Sequence, residues 1–230
     1  MPPSKGSTGP ARDQAVATVV SRVKQMILSG EILPGQQIRQ EQMAATLGVS
    51  RLPVREGLHQ LAADGLVTHE HNVGFAVARL SRAEFGQVYL MRRLLETEVL
   101  RSLERPDAEA LASITQLAEE VEAAAADADL AGMREANSRF HLALFALSGL
   151  DLVVAEIGRI WNWALPYHAV SLYDPAGRER ILAEHRGMLS ALESGDVERL
   201  VVLMDEHRAG SEAQLDVVLA AGVAAHASSA

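Results

Sequence analysis

Hydrophobic positions along this chain recur mostly every three or four residues, the period of helices lying on a core. At the front, "DQAVATVVSRVKQMILSG" places Val16, Val19, Val20, Val23 and Ile27 on one helical face, with Asp13 as the expected N-cap and Gly30 as the stop. "LPG" predicts a type II turn with Pro34 and Gly35 at its centre. A short second helix follows in "RQEQMAATLG", Met43 and Leu47 inward and Gly48 ending it. The third opens almost at once, with Ser50 where an N-cap belongs and Pro53 in the first turn, where its missing N–H costs little. Val54, Leu58 and Leu61 form its apolar stripe, and Gly65 closes it. "LVTHEHNVGFAVARL" then alternates and breaks at "HNVG", as a two-stranded hairpin does. Three helices and a hairpin make the plan of a winged helix-turn-helix.

From residue 81 onward the helical period dominates. "SRAEFGQVYLMRRLLETEVLRSL" opens on a Ser cap and carries Phe85, Val88, Leu95 and Val99 on one side. Five more helical stretches follow, most opening on Asp or closing on Gly or Pro, and no strand candidate interrupts them. The fold class expected is mainly α: an N-terminal winged helix-turn-helix and a C-terminal antiparallel bundle of six to seven helices. The boundaries read as a tail over 1–12, the DNA-binding module over 13–80, the helical domain over 81–224, and a second tail over 225–230.

Charge sharpens this division. The net charge of −9 argues against an anionic partner, yet residues 11–82 hold eight Arg and Lys against six Asp and Glu, with three histidines, whereas residues 83–230 hold twelve Arg against twenty-four acids. A small, mildly basic module is carried on an acidic body. Cysteine is absent, which excludes disulfides, thiolate metal sites and thiol nucleophiles. No signal peptide pattern and no apolar run near the ~20 residues of a membrane span occur, so the expected compartment is the cytoplasm. Phosphate-binding glycine loops and nucleophile elbows are also missing from the sequence.

Two groups of residues carry candidate chemistry. Arg51, Leu52, Arg55 and His59 lie off the apolar stripe of the third helix, on its N-terminal half, the part a recognition helix presents to base edges and phosphates. In the body, His141, His185 and His207 occupy helix interiors, and Asn137 shares a face with His141 four residues later. Each such histidine taken singly is more often a satisfied core residue than a ligand; three converging would suit zinc, nickel or a similar divalent ion.

"ILSGEILPGQQI", "LGVSRLPVREGLHQLAADGLV" and "HNVGFAV" resemble the N-terminal domain of GntR-family bacterial transcription regulators over about residues 16–79. The resemblance implies operator contacts by Arg51 and Arg55, helped by Ser50 and by the wing tip at His71, Asn72 and Gly74. Val73 stands where many relatives carry Arg, which weakens the wing, and Gly57 replaces a common Ala at a helix cost of up to about 1 kcal/mol. "MRRLLE", "NSRFHLALFALSG" and "AEHRGMLSALESGDVERLVVLMDEHR" resemble the FCD domain, the effector-binding domain of the FadR-type branch. That likeness implies a metal held by Asn137, His141, His185 and His207, with Asn as a neutral ligand where Asp is common, and Leu150 in place of the usual Asn after Ser-Gly. It implies a small carboxylate effector clamped by Arg92, whose alternative is a surface pair with Glu96; Trp161, Asn162, Trp163, Tyr167 and His168 are expected to shape the cavity or the core. The expectation is a ligand-responsive regulator, acting as a repressor, homodimeric on a palindromic operator in double-stranded DNA. The alternatives are a sensor of a larger acyl-type ligand without metal and a three-His metalloenzyme.

Overall fold

The structure is a computed structural model that describes residues 9–171 and 175–227, with side chains placed over 11–167 and 175–213. It divides into two compact units, Met1–Arg79 and Leu80–Ala230. The expected tails fall partly outside the described residues, at 1–8 and 228–230; the remainder of each is helical.

In the first unit, α1 (Gly9–Leu28) begins ahead of Asp13, which therefore lies inside the helix rather than at its cap. It is followed by α2 (Gln40–Leu47) and α3 (Arg51–Ala63). Val19, Val23 and Ile27 of α1 and Val54, Leu58 and Leu61 of α3 are buried, which accounts for the pairing of these two helices. The Leu33–Gln36 turn closes with a hydrogen bond from Gln36 N to Leu33 O, and Gly35 has φ +79°, the left-handed value that a type II turn requires there. Ser50 has extended backbone at the head of α3, but its hydroxyl makes no capping hydrogen bond. β1 (Gln37–Ile38), β2 (Val67–Glu70) and β3 (Gly74–Val77) form an antiparallel sheet in the order β1-β3-β2. The wing is thus anchored by a third strand that the alternating pattern did not predict. Ile38 opposes Phe75, and both side chains face the core.

Gly57 corrects a sequence expectation. A Cβ there would stand 2.8 Å from Val19 Cγ1 and 3.2 Å from its Cβ. The glycine that weakens α3 as an isolated helix lets α1 pack against it, so close approach replaces propensity as the deciding effect.

The second unit comprises α4 (Arg82–Arg101), α5 (Ala108–Ala126), α6 (Leu130–Ala146), α7 (Asp151–Ser171), α8 (Pro175–Ser194) and α9 (Val197–Ala227). Ser81 and Glu84 make a reciprocal capping box on α4, and Asp107, Asp129 and Asp196 each accept a backbone N–H at the start of the following helix. Phe140, Leu144 and Phe145 of α6 pack with Val99, Leu100, Ile157, Met188, Leu200 and Met204 in the main core. A smaller cluster of Phe85, Val88, Tyr89, Ile160, Ala164 and Tyr167 joins α4 to α7. Among the described residues no helix is long and apolar enough to cross a membrane.

Candidate functional site

In the first unit, the N-terminal half of α3 presents Arg51, Leu52 and Arg55 outward, and His59 follows one turn later past the helix midpoint, with Ser50 exposed just before the helix. Leu52 is 53% exposed, a large apolar side chain turned away from the core. Arg51 pairs with Glu41 of α2 at 2.6 Å, both side chains in solvent, while Arg55 makes no ion pair among the described residues. His59 is exposed but engaged: its ring meets Phe75 edge-on at 5.0 Å and His69 at 5.2 Å, tying α3 to the wing strands. At the wing tip His71 and Asn72 are exposed, Asn72 in the left-handed region at φ +65° and Gly74 at φ +101°.

In the second unit the three histidines come together. α6 supplies His141, α8 His185 and α9 His207; all are buried, and one ring nitrogen from each lies within 4.8 Å of the others. His141 Nε2 and His185 Nε2 are 3.2 Å apart. Two imidazole nitrogens about 2.0–2.1 Å from one ion, at angles near 90–110°, stand about 2.9–3.4 Å apart, so this spacing fits an edge of a coordination polyhedron. The Nδ1 atoms of His141 and His185 have no hydrogen-bond partner among the described residues. Burial first, then the neighbouring His207 for both, and for His141 also His185, Arg92 and Arg208, hold the pKa of His141 and His185 well below the ordinary histidine value. Neutral imidazoles are the form a metal needs, so the donor set could hold a divalent ion. Asn137 lies one helical turn before His141 and lines the cavity beside the trio.

That cavity, of about 40 Å³, is lined by Arg92, Arg134, Asn137, Ser138, His207 and Ser211 together with Met133, Trp161, Leu165 and Ile181. Arg92 departs from the surface pair considered for it. The pair with Glu96 exists at 2.8 Å, but Arg92 is 3% exposed and Glu96 0%. Glu96 is a hub: one carboxylate oxygen accepts from Arg92 Nε and from Trp161 Nε1 at 2.7 Å, the other from Arg208 Nη1 at 2.9 Å. Burial opposes charge on Arg92, yet Glu96 and Tyr89 together outweigh it and raise the Arg92 pKa. The Arg92 guanidinium also lies 4.3 Å from the Trp161 ring and 5.0 Å from that of Tyr89, whose own pKa is pushed up to about 12 by burial.

The other aromatic candidates separate. Tyr167 accepts a hydrogen bond from Leu80 N at 2.7 Å and belongs to the α4–α7 cluster, and Trp163 stacks with Arg159. Neither Asn162 nor Leu150 lines the cavity, and the His168 side chain lies outside the described residues. Sequence reasoning placed Glu96 at the surface and missed Arg134, Glu184 and Arg208. Arg134 falls one turn before Ser138 on the Asn137–His141 face, and Arg208 adjoins His207, so helical position alone could have nominated both.

Comparison with known proteins agrees with both units. Residues 15–77 match the family of bacterial regulatory proteins, gntR family, and residues 87–210 match the FCD domain. The chain is 30% identical over 188 residues to an HTH-type transcriptional regulator in an unstable DNA locus of Streptomyces ambofaciens, covering 81% of this chain and 78% of that one. It is 35% identical over 108 residues to the gluconate operon transcriptional repressor of Bacillus subtilis, covering 47% of this chain and 41% of that one. A solved GntR transcriptional regulator from Rhodococcus sp. RHA1 superposes with a TM-score of 0.73 at 26% identity, over 87% of this chain and 96% of that one. These are transcriptional regulators rather than enzymes, which removes the three-His metalloenzyme alternative. A winged helix-turn-helix followed by a six-helix FCD domain, matched on both parts, makes this chain a member of the GntR family of bacterial transcriptional regulators.

Proposed function

We propose that this regulator is a repressor whose helical domain senses a small organic acid through a divalent metal held by Asn137, His141, His185 and His207. The observation that carries the reading is the buried convergence of three imidazoles from α6, α8 and α9 beside a cavity with two arginines and two serines in its wall. An ion held by neutral ligands keeps its positive charge and leaves positions open, for which small carboxylates are suited guests. Arg92 and Arg134 offer guanidinium donors to such a guest, Arg92 while still holding Glu96.

DNA contact is assigned to Ser50, Arg51, Leu52, Arg55 and His59 on the recognition helix and to His71, Asn72 and Gly74 on the wing. One recognition helix reads only a few base pairs, so a homodimer on a palindromic operator is the expected working form. An effector that prefers one state of the dimer would shift operator affinity, and a coupling of about 1–3 kcal/mol gives 5–150-fold control. The test is elemental analysis of purified protein beside His185→Ala, followed by operator binding with small carboxylates added to the metal-loaded form. About one ion per chain, lost in the variant, and operator release by a carboxylate are expected. Zinc- and nickel-free protein after incubation with both metals would overturn the reading.

A further inference from the structure

Of the three clustered histidines, one differs in its second nitrogen. Among the described residues His141 and His185 leave Nδ1 without a partner, whereas His207 Nδ1 lies 2.7 Å from Glu184 Oε2. Glu184 belongs to α8, one residue before His185, so a single helix supplies both a member of the trio and the carboxylate that holds another member on α9. Glu184 is itself held: Arg180, one turn earlier, donates from Nη1 to both of its oxygens at 2.7 and 3.0 Å. Arg180 reaches this place across the backbone of α9 at Gly210, where an added Cβ would stand 2.7 Å from its guanidinium carbon.

We infer that Glu184, braced by Arg180, is a positioning residue that fixes His207 as its Nδ1–H tautomer and aims the Nε2 lone pair at the His141–His185 pair. The inference rests on the metal reading above and extends it to residues outside the ligand set. A carboxylate can only accept, so the proton of a neutral His207 must sit on Nδ1, leaving Nε2 as the free donor atom. The same contact limits rotation of the ring, and partners of this kind typically change metal affinity by about 10–100-fold when removed. His141 and His185 have no such brace and share one short Nε2–Nε2 contact, so His207 is the ring with its ligand atom set in advance.

The experiment uses full-length protein labelled with 15N-histidine, in wild type, Glu184→Ala and Glu184→Gln, with zinc affinity measured against a chelator of known strength. Glu122→Ala, which removes the exposed partner of Arg186, serves as control. In metal-free wild type the His207 ring nitrogens should report the Nδ1–H tautomer alone. Glu184→Ala should give a tautomer mixture at His207, leave the His141 and His185 signals in place, and weaken zinc binding about 10–100-fold. Glu184→Gln, which keeps an acceptor, should fall between, and its own comparison with wild type in tautomer and zinc affinity decides the matter should the alanine variant not fold, equality in both overturning the inference. An unchanged His207 tautomer, or equal zinc affinity in wild type and Glu184→Ala, would overturn this inference alone. No zinc uptake by wild type would overturn the metal reading, and with it this role for Glu184, even where the tautomer responds.

Discussion

Glu96→Gln isolates the hub of the second unit with almost no change of shape. The carboxylate serves three donors: Arg92 and Trp161 on one oxygen, Arg208 on the other. Glutamine can keep its single oxygen toward Arg92 and Trp161, but its NH₂ then faces the Arg208 guanidinium, donor against donor. Both arginines are at least nine-tenths buried, so neither can recover the loss from water. Removing one member of a buried pair costs about 3–5 kcal/mol, because the remaining charge is left uncompensated. Asp205, half exposed, still holds Arg208 and places the expectation toward the lower end. For a body of this size each kcal/mol lowers Tm by about 2–4 °C, which gives a fall of about 6–12 °C for ~3 kcal/mol. The chain's two tryptophans, Trp161 and Trp163, both lie on α7, so tryptophan fluorescence follows the helical unit alone. Glu120→Ala supplies the contrast: its pair with Arg139 is shorter still at 2.6 Å but solvent-exposed, and should cost less than ~1 kcal/mol. A fall of under 2 °C in Glu96→Gln, or equal effects in the two variants, would refute the view that burial decides the worth of these pairs.

Gly57→Ala should destabilise the winged unit in spite of a helix-propensity gain of up to about 1 kcal/mol, because overpacking against Val19 costs about 1–3 kcal/mol. Urea unfolding followed by the helix signal would measure it, and the double variant with Val19→Ala should recover part of the loss. Arg55→Ala should weaken operator binding by about 1–3 kcal/mol without changing stability, since the side chain is exposed and forms no ion pair among the described residues; unchanged affinity in a DNA mobility or anisotropy assay would refute its assignment. Metal-free protein should lose stability as pH falls below about 6.5, because His141 and His185 stay neutral when folded but take up protons when unfolded. The slope is about 1.4 kcal/mol per pH unit for each histidine, so a flat urea midpoint between pH 6.5 and 5 would contradict it.

The winged unit was legible because its signals are local. An apolar stripe at Val54, Leu58 and Leu61, a Pro-Gly turn and a left-handed glycine after each of α2 and α3 each act within a few residues. What the pattern could not show is what depends on a distant partner. β1 has two residues, too few for any alternation to register, and it exists because β3 offers it an edge. Gly57 reads as a weak helix former until Val19 is known to lie against it.

The site divides on the same line. His141, His185 and His207 stood out as residue types in helix interiors, but their convergence needs α6, α8 and α9 to be brought together. Glu96 was hidden by a sequence rule that usually holds, since an Arg and a Glu four apart on a helix ordinarily form a solvated pair. Yet Arg92 and Glu96 continue the spacing of Phe85, Val88 and Val99, all buried, so the apolar stripe of α4 already ran through the two charges. A charged pair on the core face of a helix must find further partners or be expelled. Here those partners are Trp161 and Arg208, and Arg208 follows His207 directly on α9. Two successive residues of one helix thus join the histidine trio to the buried ion network that backs Arg92 in the cavity wall. A guest that drew Arg92 toward itself would therefore act on the Glu96 hub, and through Arg208 on the helix that carries His207.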